Sequence, residues 1–150
     1  MIRSQSKSDP VPMARHPITF QEIVEHFAPG WFASVMGTAA TGVAIFALRN
    51  FVPFAGALQV IFLTLAVVLF GVLLAPWSIR WLKHPQAVRR DLMHPVSAAF
   101  FPTMPISLLV IGIALEKTPL PFLPEGALWP LLLTLWAIGS LAILIFALVI

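Results

Sequence analysis

Residues 29–48 read PGWFASVMGTAATGVAIFAL, a run of twenty residues without a charged side chain. At about 1.5 Å per residue, a helix of this length crosses a hydrocarbon core of about 30 Å. Three more charge-free runs follow, at residues 55–75, 95–115 and 127–150. All nine Lys and Arg residues and all six acids lie outside these four runs, as a bilayer requires. The sequence therefore predicts an all-α polytopic membrane protein with four transmembrane helices.

The composition excludes several classes of protein. The chain is 59% hydrophobic and 10% charged, whereas a soluble domain is about 45–50% apolar and about 25% charged. Its net charge is only +3, and no basic run is interleaved with aromatic residues, so we expect no nucleic-acid partner. The absence of cysteine excludes disulfides and thiolate metal sites. No metal-ligand spacing, nucleophile–base pair or phosphate loop is present, so we expect no metal, no cofactor and no enzymatic activity.

The segments outside the runs predict three regions. Residues 1–17 predict a disordered tail, residues 18–28 an interfacial amphipathic helix, and residues 29–150 the membrane domain. Thr19 and Glu22 have the spacing of a capping box at the start of the interfacial helix. Its apolar side would carry Phe20, Ile23, Val24 and Phe27. The fourth run continues to the last residue without a polar flank, so we expect the sequence to be the first part of a longer protein.

The distribution of Lys and Arg predicts the orientation. The tail holds three of these residues, and the connection between the second and third runs holds a basic cluster of Arg80, Lys83, Arg89 and Arg90. The other two connections hold one each. The positive-inside rule therefore places the N-terminus and the basic cluster in the cytoplasm. We expect the protein to lie in the plasma (inner) membrane. The cluster either fixes the topology or raises the local anion concentration. Trp77 and Trp81 are expected to be interfacial anchors.

The first run differs from the others in side-chain size. Eleven of its twenty residues are Gly, Ala, Ser or Thr, and six are Leu, Ile, Val or Phe. The large group supplies thirteen of twenty-one residues in the second run. Residues at steps of four and three form one stripe, namely Gly30, Ser34, Gly37, Thr41 and Ala44, with Thr38 on its flank. Such a stripe serves close helix packing more often than pore lining. Both uses stay open, and Gly30, Ser34, Gly37, Thr38 and Thr41 are candidate pore-lining residues.

The third run contains Pro95, Pro102 and Pro105. An interior proline removes a backbone donor, so the helix should kink near residues 101–105. A broken helix at bilayer depth is tolerated where its backbone is buried in protein or faces a water-filled cavity. We therefore predict a second inner helix, whose break is either a static kink or faces a substrate. Its candidate pore-lining residues are Phe101, Pro102, Thr103, Pro105 and Ser107.

The runs thus alternate between a small-residue or proline-rich helix and one with large apolar side chains. This alternation predicts two helical hairpins, each with an inner helix and an outer, lipid-facing helix. Two hairpins cannot enclose a pore alone.

Two stretches also resemble a known family. FAPGWFASVMGTAATGV, at residues 27–43, and MHPVSAAFFPTMPISLL, at residues 93–109, resemble the first and third helices of the TehA-type family. This family comprises tellurite-resistance permeases, slow-type anion channels of plants, malate permeases and sulfite efflux pumps. The Pro-Gly-Trp-Phe element and the His-Pro and Phe-Phe-Pro elements together carry the resemblance, which extends from about residue 19 to residue 150.

The resemblance implies a fold of ten helices arranged as five hairpins around a central pore, usually in a homotrimer. It implies small inorganic or organic anions as the transported partners. The gating phenylalanine of the family lies on the ninth helix, so no residue of these 150 inherits that role. Gly30, Gly37 and Pro102 fall on inner helices in this arrangement.

Three functional hypotheses follow. The favoured one is an anion channel or transporter that passes small anions through a central, neutral-lined pore. The alternative is a proton-coupled carrier of dicarboxylates such as malate, or of sulfite. A hypothesis of another class is a non-transporting accessory membrane subunit, which requires the four helices to assemble alone.

Overall fold

The computed structural model describes residues 19–121, 124 and 126–149, so the tail predicted at residues 1–17 lies outside the described part. The helices follow one another as α1 (Phe20–Glu25), a 3₁₀ turn (Pro29–Trp31), α2 (Phe32–Ala47), α3 (Ala55–Lys83), α4 (Pro85–Leu92), α5 (Pro95–Ala98), α6 (Thr103–Lys117) and α7 (Leu128–Val149). Four stretches are long and apolar enough to cross a bilayer, and we call them the first to fourth spans: Pro29–Ala47, Ala55–Lys83, Pro95–Lys117 and Leu128–Val149. The predicted all-α membrane fold with four spans is confirmed.

The first and third spans lie side by side among the described helices. Helix α2 packs against both α3 and α6, and α7 packs against α6. The core between them includes Phe32 and Val35 of α2, Leu63 and Ala66 of α3, and Ile111 of α6. The two small-residue or proline-rich spans therefore form the central pair, and each contacts the large apolar span that follows it in sequence.

The second span is longer than predicted. Helix α3 covers the 29 residues Ala55–Lys83, about 44 Å, whereas the prediction ended it one residue before Pro76. The helix continues through this proline because the following turns are packed. Trp77 lies edge-on to Phe32, with ring centroids 6.4 Å apart, and Arg80 is buried. Trp77 is thus a partner of the core, although the sequence suggested an interfacial anchor.

The break in the third span is present and lies at residues 99–102, between α5 and α6. Pro102 is the N-cap of α6, and Pro105 lies in its first turn. Backbone N–H groups in the first turn have no partner within the helix, so a proline there removes no helical hydrogen bond. Pro102 and Pro105 therefore begin helix α6 and do not interrupt it. The non-helical residues lie before α6, so the break begins slightly earlier than the kink predicted at residues 101–105.

Helix α1 is shorter than the interfacial helix predicted for residues 18–28. Its capping box is present, and the backbone N–H of Thr19 donates to Glu22 Oε2 at 2.8 Å. Val24 is buried, whereas Phe20 on the same predicted apolar side is 61% exposed. The helix therefore divides its apolar residues between the core and the surface, and its location at the membrane interface stays a prediction.

The fourth span approaches the third through Gly139, the buried residue of α7. A Cβ added at Gly139 would lie 2.7 Å from Leu109 Cδ2 and 3.1 Å from the carbonyl oxygen of Pro105. The leucine side chain can rotate away, but the carbonyl oxygen is held by the backbone. The absence of a side chain at this position is therefore required for the contact between α6 and α7.

We expect Gly139→Val to lower the thermal stability of the full-length protein in detergent, because overpacking costs about 1–3 kcal/mol. Gly71→Val on α3 is the matched control, since a Cβ there would meet no atom within 4 Å. Thermal unfolding should show a lower midpoint for Gly139→Val only. Equal midpoints for the two variants would contradict the proposed role of Gly139.

Candidate pore-lining face

The exposed side of α2 carries only side chains the size of threonine or smaller. Its seven exposed residues are Ala33, Ser34, Gly37, Ala40, Thr41, Ala44 and Ala47. We call this surface the small-residue face. Phe32 and Val35 are fully buried on the opposite side, and the other larger residues of α2 are half-buried. The face contains Ser34, Gly37, Thr41 and Ala44 of the predicted stripe, and Thr38 is half-buried at its edge. Gly30, the first residue of the predicted stripe, lies in the 3₁₀ turn and is half-buried.

The exposed sides of α3 and α7 are different. Helix α3 exposes Ile61, Leu65, Val67, Val68 and Val72, and α7 exposes Trp136, Ile138, Leu141, Leu144 and Leu148. Large apolar side chains are suited to contact with lipid tails. A face of small residues is suited instead to another helix at close range or to an aqueous passage. The composition of its exposed side thus separates the first span from the two outer spans.

The small-residue face does not pack against the described helices at its centre. A Cβ added at Gly37 would meet no atom within 4 Å. Close packing among the four described spans is therefore not the use of this face. Two alternatives remain for this face: it contacts a further helix, or it is exposed to a passage.

Hydroxyl groups on and beside the small-residue face donate to the backbone of their own helix. Ser34 Oγ donates to the Trp31 carbonyl at 2.7 Å, Thr38 Oγ1 to the Ser34 carbonyl at 2.8 Å, and Thr41 Oγ1 to the Gly37 carbonyl at 2.9 Å. A hydroxyl must turn its proton away from such a carbonyl before it can donate to an anion. The face is therefore neutral and only weakly polar.

The hydroxyl candidates on the third span lie between helices. Ser107 is fully buried, and its Oγ lies 3.0 Å from the carbonyl oxygen of Phe32. Thr103 Oγ1 lies 2.9 Å from the carbonyl oxygen of Pro29. Each hydroxyl also reaches a carbonyl of its own segment, so one proton serves two acceptors. These two residues connect the third span to the start of the first, and a contact with a passage stays a prediction for them.

The aromatic candidate of the third span is also buried. The Phe101 ring lies between Trp81 and Phe146, at centroid distances of 6.2 and 5.9 Å. Pro105 is buried and Pro102 half-buried, so these two candidates are also part of the helix packing.

Phe100, which the sequence analysis did not single out, is 46% exposed. Its Cδ1 would lie 3.4 Å from a Cβ added at Gly30, so the ring lies beside the first turn of the first span. The Phe-Phe-Pro motif indicates an aromatic residue at the break. It does not indicate which phenylalanine is exposed, because that depends on where α5 ends.

The predicted basic cluster divides into two parts. Arg80 is 5% exposed, its Nε donates to the Glu25 carbonyl oxygen at 3.0 Å, and its Nη2 forms an ion pair with Asp91. Asp91 reaches this position because the connection forms α4, a helix that the sequence analysis did not predict. Arg80 thus joins three helices and is not part of a free cationic surface. The other three members, Lys83, Arg89 and Arg90, are exposed.

Comparison with known proteins identifies the family. A family model described as voltage-dependent anion channel (SLAC1) matches residues 26–150. The chain belongs to this family. The match contains the small-residue face and the broken third span, and it confirms the resemblance to slow-type anion channels that residues 27–43 and 93–109 indicated.

Two relatives are uncharacterized transporters of Methanocaldococcus jannaschii. MJ0576 is 35% identical over 118 residues, which are 79% of this chain and 33% of that protein. MJ0762 is 30% identical over 132 residues, which are 87% of this chain and 36% of that protein. The chain therefore spans about a third of the length of the curated relatives it matches. No solved structure matches it.

These names describe channels and transporters, which are not enzymes. Together with four apolar spans, they indicate an integral membrane protein.

We expect Arg80→Met to destabilise the full-length protein, because it leaves Asp91 without its buried partner. Asp91 is 26% exposed, so the expected cost lies below the value of about 3–5 kcal/mol for a fully buried ion pair. Arg89→Met is the matched control, since Arg89 lies on the same connection but is exposed. Thermal unfolding in detergent should separate the two variants. Similar stabilities would show that Arg80 does not join the helices in this way.

Proposed function

We propose that this chain forms part of the wall of a passage for small anions, with the small-residue face of the first span turned toward that passage. The observation that carries the proposal is the exposure of this face in a chain that belongs to an anion channel family. A neutral wall with hydroxyls and backbone binds an anion weakly, which favours rapid passage. Further hairpins are needed to enclose the passage, and the family resemblance implies ten helices and a homotrimer.

The proposal includes an orientation. The exposed cations Lys83, Arg89 and Arg90 lie at the end of the bundle where the first span begins. The positive-inside rule assigns this end to the cytoplasm, and with it the N-terminus, in the plasma (inner) membrane. We name this end the Arg90 mouth and the opposite end the Arg49 mouth.

Flux from liposomes tests the proposed function. The full-length protein should release chloride and nitrate down their gradients, and sulfite or malate if the passage is wide enough. Saturable uptake driven by a pH gradient would instead favour the proton-coupled carrier. Intact, folded protein without any anion flux would contradict both and favour an accessory subunit.

A pair of valine substitutions tests the hydroxyls of the face. Thr41→Val keeps the side-chain volume and removes one hydroxyl, so anion flux should fall by up to about tenfold, the upper limit being the value of one hydrogen bond, since the hydroxyl must leave the Gly37 carbonyl to donate to an anion. Thr134→Val on α7 is the matched control, because the Thr134 hydroxyl also donates to a carbonyl one turn earlier, at 2.7 Å. An equal effect of the two substitutions would argue against a special role of the face.

A pair of leucine substitutions distinguishes the two remaining uses of the small-residue face. Neither Gly37 nor Gly71 has an atom within 4 Å of an added Cβ. Gly37→Leu should reduce anion flux at least tenfold with little change in thermal stability, because it fills the passage. Gly71→Leu on the outer span should change neither quantity. A large loss of stability for Gly37→Leu would show that the face packs against another helix.

A further inference from the structure

Two basic residues meet at the Arg49 mouth. Arg49 follows the C-terminal end of α2, and Lys117 is the last residue of α6. The two helices run in the same direction, since the contacts of Thr103 and Ser107 join their starting turns. Their C-terminal ends therefore lie at the same mouth, on the two spans that form the central pair.

A single aromatic ring lies beside both cations. Arg49 Cζ lies 4.1 Å from the centroid of the Phe46 ring, and Lys117 Nζ lies 5.9 Å from the same centroid. The negative face of the ring attracts each cation and partly offsets their repulsion. Lys117 also donates to Glu116 Oε1 at 2.8 Å. Two cations thus face one carboxylate among the described residues of this cluster, which leaves positive charge in excess.

The cations line an open cavity of about 720 Å³, whose wall also includes Asn50, Gln59 and Thr118. Gln59 is only 3% exposed, and its Nε2 donates to the carbonyl oxygen of Lys117 at 3.3 Å. This bond connects the end of the third span to the second span. The cavity therefore has a fixed polar side and room for a small hydrated anion.

A cation near the C-terminal end of a helix interacts favourably with the helix dipole, and this effect is enough to explain Arg49 and Lys117 individually. It does not require the two cations to share one ring and one cavity. We propose that Arg49 and Lys117 form an anion-attracting site at the Arg49 mouth, which gathers small inorganic anions before they pass along the neutral wall. This inference rests on the proposed function and adds the location at which anions are concentrated.

Conductance at low salt tests the site. The full-length protein is reconstituted in planar bilayers, and single-channel chloride currents are recorded at about 10 mM and about 1 M salt. A charge near the mouth acts over about 30 Å at the lower concentration and about 3 Å at the higher one. Arg49→Gln and Lys117→Gln should each lower the chloride conductance about threefold at low salt and leave it nearly unchanged at high salt. Glu116→Gln should raise it at low salt.

Arg89→Gln is the matched control. Arg89 is also an exposed cation, but it lies at the Arg90 mouth. Its substitution should leave the current of chloride that enters from the Arg49 mouth unchanged. An equal effect of Arg89→Gln on this current would overturn the proposed location.

Chemical restoration of the charge provides a second test. The 150 residues contain no cysteine, so Arg49→Cys introduces the one thiol of this part of the chain. A cationic methanethiosulfonate reagent should restore the low-salt conductance, and an anionic one should lower it further. The protein without the substitution, treated with the same reagents, controls for thiols elsewhere in the full-length chain.

The outcomes separate this inference from the proposed function. Anion currents in the unsubstituted protein, with low-salt conductance unaffected by both glutamine substitutions, would overturn the site alone. A loss of conductance that is equal at both salt concentrations would overturn it as well, since it indicates a structural role. No anion current in the unsubstituted protein would overturn both proposals.

Discussion

Two contacts from hydroxyl groups to carbonyl groups hold the first and third spans in register. Thr103 and Ser107 lie one turn apart on α6 and reach the carbonyl oxygens of Pro29 and Phe32. Each hydroxyl also reaches a carbonyl of its own segment, and the Pro29 carbonyl also accepts from the Phe32 backbone N–H, so the contacts between the spans join groups that already have partners. Because these contacts cross between the spans one turn apart, they define both the distance and the relative rotation of the two spans. The other surfaces of the described helices depend on this rotation.

The rotation of α2 directs its large and small side chains to opposite sides. Phe32 packs against Phe70 and Trp77 of the second span, at centroid distances of 5.6 and 6.4 Å. With this aromatic contact on one side and α6 adjacent to it, the stripe through Gly37 and Thr41 is left facing away from the described helices. A helix that presented the same stripe to α3 would expose its phenylalanine and valine residues on the side that we propose faces the passage. The packing of the large residues therefore determines where the neutral face points.

Local chemistry made the spans, the capping box and the proline break predictable from the sequence. Charge exclusion from a bilayer acts on each residue separately, and a proline restricts its own backbone. Prediction failed where the outcome depends on contacts between distant segments. Arg80 resembled its basic neighbours in sequence, and only the fold of α4 brings Asp91 opposite its guanidinium. Ser107 lies buried with its hydroxyl 3.0 Å from the carbonyl oxygen of Phe32, a contact across 75 positions that the sequence did not indicate.

The cations at the two mouths have different partners, and this difference bears on how the proposed neutral passage would be supplied with anions. At the Arg90 mouth, Arg80 is neutralised by Asp91 and serves the packing of the helices, whereas Lys83, Arg89 and Arg90 are exposed. At the Arg49 mouth, Phe46 lies beside two cations, of which Lys117 is paired with Glu116, so one positive charge is in excess among the described residues there. A wall without charges cannot concentrate anions within the membrane, and a charged group placed there would bind them tightly and slow their release. Under the proposed function, cations at the end of the passage would avoid this conflict, since they would raise the local anion concentration in a region where water screens them and release would remain rapid.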